Sequence, residues 1–233
     1  MHEKGIAHRY ELLKRALLTN SHLRVFRDCV RANIMMNGDA MYPEGFHPIR
    51  IRRTPDRLRT AEYTSRTIAG VKYYFVDFGL SCYLQDATPP RLVTGSYGRD
   101  QDPPELSDTV PYDPFKLDIF IIGNMLRREF CQVGVFWSNR SEFLLKAEQV
   151  FSNLEFLRPL IQEMIDPDPT NRPSAVEAFA LWKGIRDSIW AINREWRPRP
   201  RREHPVQTVV LDYACLHQFL VSVAMFFVER FPV

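Results

Sequence analysis

The stretch I-F-I-I-G-N-M-L, at 119–126, limits the possible folds more than any other part of this chain. Asp113 is an N-cap residue and Pro114 suits a first helical position, so a helix should start there and run to about Phe130. Its residues are apolar on nearly every face, and a helix of that kind has to be wrapped by protein. Asp118 lies inside it. An unpaired buried carboxylate is costly, so Asp118 is expected to serve structure, with hydrogen-bond donors gathered around it.

Around this central helix the pattern predicts a mainly α architecture with a short β region. Leucines at Leu12, Leu13, Leu17 and Leu18 predict a helix over 10–26. Short apolar runs predict strands at 33–36 and, after Gly70, at 71–76. Helices are predicted at 141–151, at 154–165 and from about Pro173. Segment 81–110 reads as loop. Segment 39–69 reads as a long, mostly exposed insertion; a sharper reading makes its arginines (Arg50, Arg52, Arg53, Arg57, Arg59, Arg66) a docking patch for acidic partners. Proline keeps 196–203 out of helix.

Composition closes off several function classes. The chain is 45% hydrophobic and 25% charged, as in a globular protein with a real core. A net charge of +3 gives no argument for nucleic acid. Cys29, Cys82, Cys131 and Cys215 form no C-x-x-C pair, which points away from zinc and disulfide frameworks and toward an intracellular, cytoplasmic setting. The N-terminus has no apolar run of the signal-peptide kind. The apolar tail 215–228 is about 14 residues against the roughly 20 needed to span a bilayer. It is read as a docking helix or an artefactual tail, not a membrane anchor.

Two segments hold the acidic groups that chemistry would use: D-C-V-R-A-N-I-M-M from Asp28, and Y-F-V-D-F-G-L-S from Tyr74. An Asp followed five residues later by Asn can place both side chains on one side of a site, and Asp77 at a strand end can add another oxygen ligand. Phosphoryl transfer needs this kind of set: a carboxylate that orients the attacking hydroxyl, and hard oxygens for Mg²⁺.

Together and in this order the segments resemble the protein kinase family. D-x-x-x-x-N is similar to its catalytic loop and Asp77-Phe78-Gly79 to its D-F-G. D-P-P-E, ending at Glu105, stands where the family has A-P-E. Asp118 is similar to the buried acid of the family's central helix, and D-P-D-P-T-N-R-P-S to its late arginine segment. The nearest likeness is to fungal kinase-like proteins. The resemblance implies a protein-kinase-like C-terminal lobe over 1–195, mainly α (α+β), with insertions at 10–27 and 39–69, followed by a Pro/Arg linker and apolar tail at 196–233. It implies Asp28 as the catalytic carboxylate and Asn33 and Asp77 as Mg²⁺ ligands. His8, Arg9, Phe78, Gly79, Glu105, Asp118 and Arg172 are implied as supports, with Arg172 paired to Glu105 and Asp118 holding the catalytic loop by backbone hydrogen bonds. ATP and Mg²⁺ are the implied cofactors, and a protein substrate or protein partner the implied counterpart.

The chain departs from that family in three ways. Residues 10–27 separate His8-Arg9 from Asp28; removing them leaves G-I-A-H-R-D-C-V-R-A-N-I-M-M, and the codons available at both junctions permit splice signals, so 10–27 reads as a retained intron or a natural insertion. The glycine-rich phosphate loop, strand lysine and partner glutamate of the N-terminal lobe have no counterpart, so the cofactor-binding residues stay unassigned. Val30 and Arg31 replace the usual Lys two residues after the catalytic Asp, which leaves the choice of hydroxyl open. The sequence thus supports three readings: a phosphotransferase lineage inactive as this chain alone, a pseudokinase-like binding module, or a fragment without function.

Overall fold

The computed structural model describes residues 24–64, 66–84, 91–131, 151–190 and 196–230. Its centre is the helix Pro114–Leu126. The Asp113 carboxylate caps it by accepting the N–H groups of Phe115 and Lys116. Leu117 through Leu126 are all buried. Past Leu126 the helix widens into a π-helical segment, Arg127–Cys131.

In chain order the strands are β1 (Arg24–Val25), β2 (Ile34–Asn37), β3 (Lys72–Phe75) and β4 (Cys82–Tyr83). The helices are α1 (Arg66–Ala69), α2 (Pro114–Leu126), α3 (Arg158–Met164), α4 (Ala175–Ser188) and α5 (Pro205–Arg230). A 3₁₀ turn, Glu155–Leu157, leads into α3. In α4, the hydroxyl of Ser174 accepts the Glu177 N–H while the Glu177 carboxylate accepts the Ser174 N–H, a reciprocal cap that fixes where the helix starts. The fold is α+β, with most of its regular structure in helices.

The core forms where α2 meets α3 and α4: Leu117, Ile121 and Ile122 pack with Leu154, Leu160, Ile161, Met164 and Trp182. Each fully buried aliphatic side chain contributes about 1.5–3 kcal/mol. The backbones of α2 and α3 come very close. A β-carbon on Gly123 would stand 2.7 Å from Met164 Cβ, so only glycine fits there.

Two small antiparallel sheets lie beside this core. β2 pairs with β3, Ile34 opposite Phe75 and Asn37 opposite Lys72, and β1 pairs with β4. The intervening 39–69 is mostly exposed, as expected, but it is closed by contacts of its own. It carries an Arg53–Thr60 bridge, and Met41, His47, Thr54 and Ala61 are buried within it.

Two predicted helices fall largely outside the described residues. Of the one expected over 10–26, residues 10–23 lie outside them and Arg24–Val25 are strand, because their neighbours Phe26 and Arg27 are tied down to α2. The C-terminal end of the stretch read as an insertion, 24–27, is thus built into the fold. Of the helix expected over 141–151, residues 141–150 lie outside the described residues, and Phe151 bridges Pro200.

The segment from Trp196 is extended, as its prolines require, but it is anchored. The Ser152 N–H donates to the Arg199 carbonyl, and buried Arg197 pairs with Glu203, just before α5, and with Asp212 on it. Among the described residues no helix is long and apolar enough to cross a membrane.

Candidate functional site

The site starts at the end of β1. Asp118, fully buried on α2, accepts two consecutive backbone N–H groups, Phe26 at 2.8 Å and Arg27 at 2.7 Å, one on each carboxylate oxygen. Burial pushes its carboxyl up to about 7, against the pull of the two N–H donors and the Arg27 guanidinium. The grip bends the chain: Arg27 sits at φ 62°. Its side chain reaches the Gly95 carbonyl at 2.9 Å and the Tyr112 hydroxyl at 2.7 Å. Gly95 has to be glycine, since its φ is 119° and a β-carbon would lie 2.8 Å from Arg27 Nη2.

Asp28 follows immediately and is 8% exposed. Its Oδ2 accepts Asn33 Nδ2 at 2.8 Å and its Oδ1 accepts the Arg99 N–H at 2.9 Å. The 3₁₀ turn Arg31–Asn33 curls the chain back, so that Asn33 Nδ2 also reaches the Asp28 carbonyl at 3.0 Å. Asp28 and Asn33 are therefore in direct contact. With both amide N–H groups turned to Asp28, the Asn33 side-chain oxygen is the atom left for another partner.

Asp77 reaches the same neighbourhood through the sheet. The Val76 N–H donates to the Asn33 carbonyl at 2.9 Å, and Asp77 is the next residue, at φ 62°. It is exposed, and its carboxylate has no hydrogen bond or ion pair among the described residues. Phe78 packs on Phe26, centroids 5.4 Å apart, which links this turn to the segment held by Asp118. Gly79 follows in the same exposed turn.

Farther out, Arg172 makes a bidentate pair with Glu105, Nη2 to Oε2 at 2.9 Å, and also donates to the carbonyls of Asp166 and Lys116. Its side chain is fully buried and lies over the Phe120 ring. This ties segment 103–106 to the start of α4 but places neither residue at Asp28.

His8 and Arg9 lie outside the described residues, and the place expected for them, directly before Asp28, belongs to Phe26 and Arg27. The sequence reading also missed Arg99, Tyr112 and the buried pair of Asn124 with Asp100, whose Nδ2–Oδ2 distance is 2.6 Å. Asn124 carried the same signal as Asp118, a polar side chain within an apolar helix. Arg99 carried none, because its contribution here is a backbone N–H.

Among the described residues no three His, Cys, Asp or Glu side chains gather as a metal site. The donors that suit a hard cation are the Asn33 oxygen and the Asp77 carboxylate. A pair of that kind fits Mg²⁺, which keeps most of its water and takes one or two protein oxygens. No family model matches the chain, and no curated protein matches it.

Proposed function

We propose that this chain carries the catalytic-loop half of a protein-kinase-like phosphotransferase acting on a protein in an intracellular setting, folded as that family's C-terminal lobe. One observation carries the reading: Asp118 clamps the two peptide N–H groups immediately before Asp28, while Asn33, five residues on, holds the Asp28 carboxylate itself. A carboxylate positioned this firmly can accept the proton of an acceptor hydroxyl and keep the oxygen aimed. Each Asp28 oxygen has one protein donor, so lone pairs remain for that hydroxyl. Asn33 and Asp77 would hold Mg²⁺, which would offset the charge on the phosphoryl group that ATP donates.

In that family the nucleotide phosphates are also held by a glycine-rich loop and a strand lysine, which have no recognisable counterpart in these 233 residues. We expect negligible phosphoryl transfer from the polypeptide on its own. A second reading, a pseudokinase-like binding module, is favoured by the Arg99 N–H already engaging Asp28.

Titration with Mn²⁺ followed by NMR tests the metal half of the reading. Line broadening should centre on residues 33 and 77 and vanish in Asp77→Asn, with the remaining amide spectrum unchanged. Broadening that is indifferent to Asp77→Asn ends the proposal.

A further inference from the structure

Beside the catalytic loop is a cavity of about 490 Å³, walled by Val30, Arg31, Arg99, Asp100, Arg128 and Glu129 among others. Its charges are unequally committed. Asp100 has a side chain only 3% exposed; it accepts Asn124 and also stands 3.6 Å from the Arg128 guanidinium. Arg128 donates to Asp102 at 2.7 Å yet keeps half its side chain exposed. Arg31 is 77% exposed and faces Glu129 at 3.4 Å, an open surface pair of the weak kind. The Arg99 side chain is exposed, with no hydrogen bond or ion pair among the described residues. Among the cleft's three arginines, Arg99 is the one whose guanidinium has no acidic partner among the described residues.

A run of exposed arginines is usually just a solvated face. Two features argue for more. The arginines line a concavity, and Arg99 is the residue whose own N–H holds Asp28 Oδ1 at 2.9 Å. The cleft and the catalytic carboxylate therefore share one residue. An extended peptide advances about 3.3 Å per residue, so a cleft so close to Asp28 would meet side chains within roughly three positions of an acceptor hydroxyl.

We propose that this cleft is a specificity subsite for an anionic side chain, carboxylate or phosphate, flanking the acceptor in a protein substrate, with Arg99 as its main contact. Guanidinium groups match both anions through paired N–H donors. The proposal rests on the phosphotransferase reading for its word "acceptor", but the cleft binds an acidic peptide whether or not transfer occurs.

The test is fluorescence anisotropy of labelled peptides with the 233-residue chain, without nucleotide. One peptide carries a serine flanked by glutamates, one has glutamines instead, and one has a single phosphoserine among glutamines. The glutamate peptide should bind about tenfold or more tightly than the glutamine peptide, the scale of one charge-assisted hydrogen bond. Arg99→Gln should abolish that preference, while Arg57→Gln, in the arginine-rich 39–69 segment, should preserve it. Tightest binding of the phosphoserine peptide, also lost in Arg99→Gln, supports the subsite and assigns its anion as phosphate. Equal binding of the glutamate and glutamine peptides, or equal weakening by Arg99→Gln and Arg57→Gln, overturns the proposal. Peptide discrimination without the Mn²⁺ signature would leave an anionic-peptide cleft and end the phosphotransferase reading. The Mn²⁺ signature without discrimination would do the reverse.

Discussion

Burial and hydrogen bonding pull the Asp118 carboxyl in opposite directions, and burial wins, holding it at about 7. An unfolded chain ionises near the ordinary value, so between about pH 4 and 7 the folded state binds the extra proton. This contribution to stability is present at the acid end and declines as pH rises to about 7, by an amount on the order of a few kcal/mol. His47, held below its ordinary value by burial and by Arg57 and Arg50, acts in the opposite sense. The depressed carboxyls of Asp168, Glu177 and Glu203 weaken the fold only at lower pH, as they protonate. Comparing urea midpoints of the parent and Asp118→Asn at pH 5 and pH 8 cancels the shared effects. The parent should lose more stability toward pH 8 than the variant does, and equal losses would refute the assignment. Asp118 was legible in the sequence because charge inside an apolar helix demands partners. That it would hold backbone N–H groups came from the resemblance; that these belong to Phe26 and Arg27 was not legible, because backbone N–H groups leave no trace in residue identity.

Helix packing is tested most sharply by two glycines in different helices. At Gly123 an added methyl would meet Ile165 Cγ2 and Met164 Cβ, the latter fixed by its backbone, and overpacking of this kind costs about 1–3 kcal/mol. At Gly184 on α4 nothing lies within 4 Å, so alanine should recover helix propensity of about 0.5–1 kcal/mol. Chemical denaturation should therefore show Gly123→Ala destabilised and Gly184→Ala stabilised; the same sign for both would contradict the α2–α3 approach. The start of α2 was readable from Asp113 and Pro114 and that of α4 from the proline-rich turn ending near Pro173, while the Ser174 cap went unread. The pairing of Arg172 with Glu105 was carried by the resemblance alone, since nothing in either segment's period links residues so far apart. The π-helical widening after Leu126 had no counterpart in the pattern. Nor did the buried interior of 39–69, whose arginines hid the few apolar positions that close it.

At the scale of the whole molecule, the described side chains of α5 are tied to the segment before it through charge. Arg197, 6% exposed, donates to Asp212 at 2.8 Å and to Glu203 at 2.8 Å, while Val206 and Val209 on the same helix remain largely exposed. Removing one partner of a buried ion pair strands the other and is strongly destabilising locally. Arg197→Ala should speed amide hydrogen exchange over 205–213 and leave 114–126 protected as before. Acceleration in both places would mean that α5 belongs to the central core. The sequence reading had 196–203 as a linker because proline forbids helix there, which is correct for the backbone but silent about the arginines that knot it to α5. The clamp at Asp118 has a consequence of the opposite kind, for the chain upstream. The Asp118 hydrogen bonds themselves take two amides, so proline is the one residue they exclude outright at 26 and 27, while the side chains there are chosen by Phe78, Gly95 and Tyr112. A version lacking 10–27 would deliver His8 and Arg9 to the same fixture, with an arginine again placed to reach Gly95 and Tyr112.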